Sequence, residues 1–493
     1  MKYRLLALTA FLLITPLIAL DGQPGLHDPS TVIIENGKYY VYATGAGLPT
    51  SVSDDGWTWR RAGNLMQAVP GGRPGPDVLA RGGNNTWAPD LMRVGDKYFL
   101  YYSAPGTQPK SAIGLLVGKT LNADSPDFKW EDGGPVVWSD GVEDNYAIDP
   151  GVFLDPTNGT LWLTYGSYFG YIRLAELDPK TGKRLRPDQP PANIAINKEA
   201  SIMIFRNGWY YLLGTHGSCC AGANSTYNIR MGRSRKVTGP FVDNMGVDML
   251  QGGGKLFLSS GGRQIGPGHF GLLDLGDGVQ KFSLHFEADL DRGGASVLDI
   301  RPLLWRDDWP VAGENFKEGV YEIESARTGT ALELAVQGVP LAGGRGGRGG
   351  QANSGTPIAA QTAAQVSAGW PAGPVDVRMS PYMLQAQQKW AVAPVVNAGG
   401  YPGSPYFKIT IAGTDRALAA TEDGEVVAMP TFTGGPEQLW RIDQLADGAY
   451  RVMPKSMPNP SPPLALSAIG SSKPTLARFN PESDRQRWFF KAP

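Results

Sequence analysis

Short apolar runs recur along the N-terminal part of the chain, each leading into a turn and returning as an aromatic-rich run. Val32-Ile33-Ile34 turns at Asn36-Gly37 and returns as Tyr39-Tyr40-Val41-Tyr42. Leu91-Met92 turns at Gly95-Asp96 and returns as Tyr98-Phe99-Leu100-Tyr101-Tyr102. Val152-Phe153 crosses Asp155-Pro156-Thr157-Asn158-Gly159 and returns as Leu161-Trp162-Leu163-Thr164-Tyr165. Ile202-Met203-Ile204 turns at Asn207-Gly208 and returns as Trp209-Tyr210-Tyr211-Leu212, and a looser fifth copy begins at His269-Phe270-Gly271-Leu272-Leu273. Runs of this length and composition, bounded by turn residues, predict antiparallel hairpins.

A polar residue leads each hairpin. These residues are Asp28, Asp90, Asp149, Glu199 and His269, separated by 62, 59, 50 and 70 positions. Small antiparallel sheets repeated at such intervals predict an all-β fold that opens with a five-bladed β-propeller, placed at 22–313. Blades stand radially, so equivalent inner-strand positions converge on the axis. Four carboxylates and a histidine would then meet in one small volume. One Asp-Pro pair is explained by turn initiation; acids in phase across four blades are not.

Beyond Gly313 the pattern changes. Gly319-Val320-Tyr321-Glu322-Ile323 opens a second series of strands at 318–493, interrupted by a Gly/Ala/Pro-rich insertion at about 338–373. Gln388-Lys389-Trp390, Gln438-Leu439-Trp440 and Gln486-Arg487-Trp488 recur at spacings of 50 and 48 and close units that open with aromatic strands, as at Tyr406-Phe407 and Tyr450.

Charge narrows the possible partners. A formal net charge of -1 offers no electrostatic footprint for nucleic acid or a membrane surface. The run Gly343 to Gly350, with its two arginines, reads as a flexible loop in that context. Met1-Lys2-Tyr3-Arg4 followed by the apolar Leu5 to Leu20 predicts a secretory signal over 1–21, with an uncleaved anchor as the alternative. The expected location is therefore extracellular or periplasmic. The two cysteines, Cys219-Cys220, are adjacent and make a poor zinc site. A vicinal disulfide and two free thiols both fit that spacing. The aromatic content suits carbohydrate stacking as well as a β-rich core.

The motifs together carry two resemblances. The three Gln-x-Trp units resemble the ricin-type β-trefoil, in which each Trp packs in a threefold core. Lectins of that family hold sugar with an Asp early in each repeat. The corresponding stretches here, Ala331-Leu332-Glu333-Leu334, Ala417-Leu418-Ala419-Ala420 and Leu464-Ala465-Leu466-Ser467, supply none. A structural role therefore stands beside sugar binding for this unit.

The second resemblance rests on His27-Asp28-Pro29, Trp87-Ala88-Pro89-Asp90, Asn145-Tyr146-Ala147-Ile148-Asp149-Pro150, Glu199-Ala200-Ser201 and Gly266-Pro267-Gly268-His269, in that order. With Ser218-Cys219-Cys220 to Tyr227 and Ile300-Arg301-Pro302-Leu303-Leu304-Trp305, they resemble glycoside hydrolase family 43, and within it the endo-1,5-α-L-arabinanases. The resemblance implies a monomeric inverting hydrolase acting on arabinan in pectin side chains. Asp28 would be the general base, Glu199 the general acid, and Asp149 the residue that orients Glu199 and raises its pKa. Inverting enzymes need one carboxylate to activate water and one carboxylic acid to protonate the leaving oxygen.

His269 would associate with a metal ion, usually calcium, largely through its waters; on chemistry alone it reads as an ordinary polar core residue. Phe270 follows it where a small or polar residue is expected. His27 would shape the pocket beside Asp28. Trp87 and Phe169 are candidate stacking walls, with core packing as the alternative for both, and Asn145 and Ser167 are further candidates for substrate contact. An exo-acting α-L-arabinofuranosidase or β-xylosidase of the same family is the alternative activity, and a non-catalytic carbohydrate-binding propeller the alternative class.

Overall fold

The computed structural model describes residues 20–107, 110–139, 146–336, 360–456, 463–470 and 472–493. The expected signal thus lies outside the described residues except for Leu20 and Asp21, as do Asn145 and most of the Gly/Ala/Pro-rich insertion.

The hairpin repeats form five successive antiparallel sheets, each built from strands adjacent in sequence. Blade 1 comprises Ile33–Glu35, Lys38–Tyr42, Pro49–Ser53 and Thr58–Asn64. Blade 2 comprises Trp87–Val94, Lys97–Pro105, Ser111–Gly118 and Trp130–Ser139, and blade 3 Gly151–Leu154, Leu161–Gly166, Tyr171–Leu177 and Ala192–Ile196. Blade 4 comprises Glu199–Arg206, Trp209–His216, Asn228–Ser234 and Lys255–Leu258, and blade 5 Gln264–Asp274, Gln280–Asp289, Ala295–Arg306 and Trp309–Ala312. From blade 2 to blade 5 each first strand packs on the next, which places them innermost. Gly151 shows how closely: a Cβ there would lie 2.0 Å from the Ser201 carbonyl oxygen of the next blade.

Apolar clusters fill the wedges between blades. Tyr42, Leu91 and Leu100 join blades 1 and 2; Tyr101, Val152 and Leu163 join blades 2 and 3. Leu174, Met203 and Leu212 join blades 3 and 4, and Ile204, Leu213 and Phe282 join blades 4 and 5. The ring closes through Leu26, Val41, Trp59, Leu273 and Leu298. The N-terminal segment stitches this seam. Leu26 N–H donates to Ser296 O at 3.2 Å, Leu298 N–H donates to Pro24 O at 2.9 Å, and Asp21–Gly22 pairs in parallel with Thr58 and Trp59. Leu20 is buried in the same cluster.

From Gly319–Ser325 to Trp488–Lys491 a second all-β unit follows, most of whose strands join one ten-stranded sheet. Trp390, Trp440 and Trp488 are fully buried in its core. Their indole N–H groups donate to Leu332 O, Leu418 O and Leu466 O at 2.8, 3.0 and 3.0 Å. Each motif glutamine ties down the loop just ahead of it, as Gln438 does by accepting from Thr433 N–H and donating to Thr431 O. The two units interlock. Gly400 N–H donates to Asp55 Oδ2 at 3.0 Å, Trp305 N–H to Ala446 O at 2.8 Å, and Ala446 N–H to Gly278 O at 2.9 Å. Lys281 of blade 5 is buried at this interface, under the Tyr401 ring and beside Asp443.

Candidate active site

Every blade begins at the axis with a backbone N–H or carbonyl bonded to the blade before it. Asp28 N–H donates to His285 Nδ1 at 2.8 Å, Ala88 N–H to Thr44 Oγ1 at 2.7 Å, Asp149 N–H to Ser103 Oγ at 2.9 Å and His269 N–H to Thr215 Oγ1 at 3.2 Å. Thr164 Oγ1 donates to Ser201 O at 2.7 Å. The partner lies in or just after the second strand of the preceding blade each time. This anchoring sustains a strained backbone: Asp28, Asp149, Ala200 and His269 have φ of 50, 54, 47 and 56°. Left-handed non-glycine residues persist where surrounding structure over-determines them, and they cluster at functional sites.

The same pattern corrects the expected phase in two blades: in blade 4 the left-handed position is Ala200, so Glu199 lies one residue ahead of it. The blade 2 equivalent of Asp28 and Asp149 is Ala88, and Asp90 lies two residues further on, past a bulge between Trp87 and Pro89. The Asp90 carboxylate does not join the other acids. Its Oδ1 accepts from Thr31 N–H at 3.0 Å and its Oδ2 from Val152 N–H at 2.9 Å, so it bridges blades 1 and 3. Burial pushes it up to about 6.

Asp28 sits in a nest of imidazoles. His27 Nδ1 is 2.9 Å from Asp28 Oδ2 and its Nε2 is 2.9 Å from Glu287 Oε1. Thr44 Oγ1 donates to Asp28 Oδ2 at 2.7 Å, and Cys220 N–H donates to Glu287 Oε2 at 3.0 Å. Burial alone would lower the His27 pKa, but the carboxylates of Asp28 and Glu287 raise it to about 10. Asp28, although buried, is held well below the usual carboxylate range by His269 and His27. Burial and the neighbouring His27 push His285 well down, so it is neutral and accepts the Asp28 N–H on Nδ1.

Glu199 is the opposite case. Tyr227 Oη donates to its Oε1, and Ser167 Oγ donates to its Oε2 at 3.3 Å. Burial pushes Glu199 up to about 7, opposed by the Tyr227 bond and reinforced by the charge of Asp28. Burial and then the charge of Glu199 raise Asp149 well above the carboxylate range. Asp149 Oδ2 accepts from Ala200 N–H at 3.2 Å and so fixes the strand that carries Glu199.

Of the other expected contacts, Trp87 is partly exposed and lines a cavity of about 320 Å³ with Met66, Arg73, Asn84 and Asn85. Thr44 belongs both to that cavity and to the Asp28 cluster. Phe169 is 55% exposed beside Tyr168, its ring edge-on to Tyr146. Ser167 is buried against Glu199, away from solvent. His269 has both ring nitrogens without a hydrogen-bond partner, with Nδ1 3.2 Å from Asp28 Oδ1.

Residues 23–310 match the family described as glycosyl hydrolases family 43. The chain belongs to that family. Family 43 relatives include the extracellular exo-α-(1→5)-L-arabinofuranosidase ArbA of Cellvibrio japonicus, 32% identical over 59% of this chain and 87% of its own. The extracellular endo-α-(1→5)-L-arabinanase 1 of Bacillus subtilis is 33% identical over 58% of this chain and 87% of its own. Among solved structures, the α-L-arabinanase of Cellvibrio cellulosa complexed with arabinohexaose is 30% identical, covers 58% of this chain and 95% of its own, and superposes with a TM-score of 0.54.

Four residues of this family 43 site escaped the sequence reading: Thr44, Tyr227, His285 and Glu287. His285 and Glu287 lie in a second strand, where a polar residue reads as routine alternation; Thr44 just follows a second strand and Tyr227 just precedes a third. A signal was present for two of them. The chain has four histidines, and His285 and Glu287 sit two apart on one face of a strand whose other face, Phe282, Leu284, Phe286 and Ala288, is apolar. The adjacent cysteines are joined as a disulfide.

Proposed function

We propose that the chain is a secreted inverting hydrolase that cuts α-1,5-L-arabinofuranosidic linkages within arabinan. One observation carries this reading: a single buried site pairs the Asp28 carboxylate with His27 and His269, which favour its ionised form, and bonds Glu199 to Tyr227 and Ser167 where burial pushes its carboxyl up to about 7. Asp28 takes a proton from water as the oxygen attacks the anomeric carbon; Glu199 gives its proton to the departing sugar oxygen. One C–O bond forms as the other breaks, with inversion. Asp149 positions the acid through Ala200, and Trp87 and Phe169 are exposed faces against which sugar rings stack. Activity on arabinan should therefore fall as pH rises past about 7, where Glu199 loses its proton. Exo action on the same linkage is the second reading, since relatives named for both actions stand at similar identity. Chromatography of early products from linear arabinan separates them: a ladder of oligomers supports endo action, and monomer from the start overturns it.

Several finer features belong to the same reading. Calcium is the metal we assign to His269, whose Nδ1 faces Asp28 and whose Nε2, without a hydrogen-bond partner, offers one ligand, with water supplying the oxygens that calcium prefers. When bound, the ion adds positive charge near Asp28. The C-terminal unit is read as a ricin-type β-trefoil, supported by the threefold recurrence of the glutamine and tryptophan hydrogen bonds. Those indole bonds reach 22 residues upstream in two repeats and 58 in the first, a difference that matches the insertion at 338–373. We take the domains as a signal over 1–21, the propeller over 22–313 and the trefoil over 318–493. The protein is read as a monomer outside the cytoplasm.

A further inference from the structure

Both oxygens of the Glu199 carboxyl are already occupied. Tyr227 donates to one and Ser167 to the other, and both donors are buried. We propose that Tyr227, assisted by Ser167, is a positioning residue of the general acid: it fixes the rotamer of Glu199 and holds its proton loose enough to be given up. The proposal rests on the assignment of Glu199 as the acid.

Tyr227 is built for that position. Its ring lies stacked on His285 with centroids 6.3 Å apart, and a Cβ at Gly268 would come within 3.0 Å of it. Its own N–H donates to Ser225 Oγ at 3.3 Å. The loop leading to it is closed on itself by Ser218 N–H donating to Thr226 Oγ1 at 2.9 Å and Ser225 Oγ donating to Ser218 O at 2.9 Å. The same loop carries Cys220, whose N–H supports Glu287 and through it His27 and Asp28. One excursion of blade 4 thus braces the acid directly and the base at two removes.

The direction of the effect follows from the groups facing Glu199. Asp28 from blade 1, Asp149 and Tyr168 from blade 3 and Glu287 from blade 5 surround it, with Ser167 and Tyr227. Burial and the negative neighbours favour the protonated carboxyl; the two donors favour the carboxylate. Burial and the surrounding carboxylates raise the Tyr227 phenol far above its ordinary range, so it remains a donor throughout. Without the phenol, Glu199 keeps its proton to higher pH and is also less well aimed.

The test is Tyr227→Phe, which keeps the ring and removes the donor. A hydrogen bond to a charged group corresponds to an upward shift of about one pH unit in the Glu199 carboxyl. That shift is read by carbon-13 NMR titration, assigned by the signal missing in Glu199→Gln. The alkaline limb of kcat/KM on arabinan should move up with it, while kcat falls roughly tenfold and KM is largely held. A Glu199 carboxyl that titrates unchanged, or lower, in Tyr227→Phe overturns the proposal. A carboxyl that shifts up while the limb stays supports the Tyr227 role and removes Glu199 as the acid. Ser167→Ala should shift the carboxyl the same way by less; if Tyr227→Phe fails to fold, absence of that shift overturns the proposal.

Discussion

The propeller and the C-terminal unit both repeat a polar residue in phase, and they use it in opposite ways. In the C-terminal unit, Gln438 and Gln486 spend their amides on backbone groups a few residues away. The indoles of Trp390, Trp440 and Trp488 likewise end on carbonyls. Gln388 divides its amide between the Pro381 carbonyl and the Glu333 carboxylate, both at 2.8 Å. In the propeller, Asp28, Glu199 and His269 face one another from different blades, on backbone partly forced to positive φ. A repeated polar group satisfied by nearby backbone is architecture; repeated polar groups that converge from several blades on other side chains, as Asp28 does on His269 and Thr44 and Glu199 on Tyr227 and Ser167, are chemistry. Asp90 belongs to the first class although it recurs with the second, because two backbone amides take both its oxygens.

Breaking the chemical class should cost most. Asp28→Ala should lower arabinan turnover by roughly 10²–10⁴-fold, the usual contribution of a positioned acid or base. The loss should be as severe on an activated aryl α-L-arabinofuranoside, because water must be activated whatever the leaving group. Glu199→Ala should lose as much on arabinan and far less on the aryl substrate, whose leaving group departs unaided. Equal losses for Glu199→Ala on both substrates, with folding verified by circular dichroism, would end its assignment as the acid.

Breaking the architectural class should cost stability and leave chemistry alone. Trp440→Ala removes a fully buried indole and should destabilise the C-terminal unit by about 3–5 kcal/mol, measured by denaturant unfolding. Turnover per folded molecule on short arabino-oligosaccharides should not change. A parallel fall in kcat would join the two classes and refute the distinction.

Asp90 sharpens it further. Its folded pKa of about 6 lies above the ordinary carboxylate value, so the folded state binds its proton more tightly than the unfolded state does. The stability this contributes is complete below about pH 4 and is lost as pH rises through about 6. Melting curves of the wild type relative to Asp90→Asn should therefore lose up to about 2–3 kcal/mol of difference across that window. A flat difference would mean that the two amide donors, rather than burial, set its charge.

The recurrence of hairpins was legible because aromatic and β-branched residues alternate with turn residues at regular intervals, whatever the tertiary context. Asp28, Asp149 and Glu199 were legible because Pro or a small residue follows each at a blade opening. The misplacement of Asp90 has a physical origin: in Trp87-Ala88-Pro89-Asp90 the axial place anchored by Thr44 falls to Ala88, and the Asp two residues on is carried into the strand, a register set by that long-range bond. The local signal of His285 and Glu287 was a weak one, because polar residues alternate along their whole strand, and what separates them from Lys281 and Ser283 is which blade they face when the ring closes.

The smallest effect expected is at the junction between the two regions, where Lys281 is buried against Asp443. Replacing a buried charge usually hurts because it leaves the partner unpaired. Here it should not, since Asp443 keeps Arg441 Nε at 2.6 Å and an Arg451 guanidinium nitrogen at 2.8 Å. Burial lowers Lys281 to about 8, despite the attraction of Asp443. The folded state therefore releases that proton earlier than the unfolded state, and wild-type stability should gain as pH rises from about 8 towards the ordinary lysine range. Lys281→Met, which preserves the stem, should lie within about 1 kcal/mol of wild type at pH 7 and lack that gain, as followed by thermal melting between pH 7 and 10. A loss of several kcal/mol at pH 7 would mean that the ammonium itself locks the units together. Near-neutrality would leave the junction to backbone pairs such as Trp305 with Ala446, and put the interface on the architectural side of the comparison.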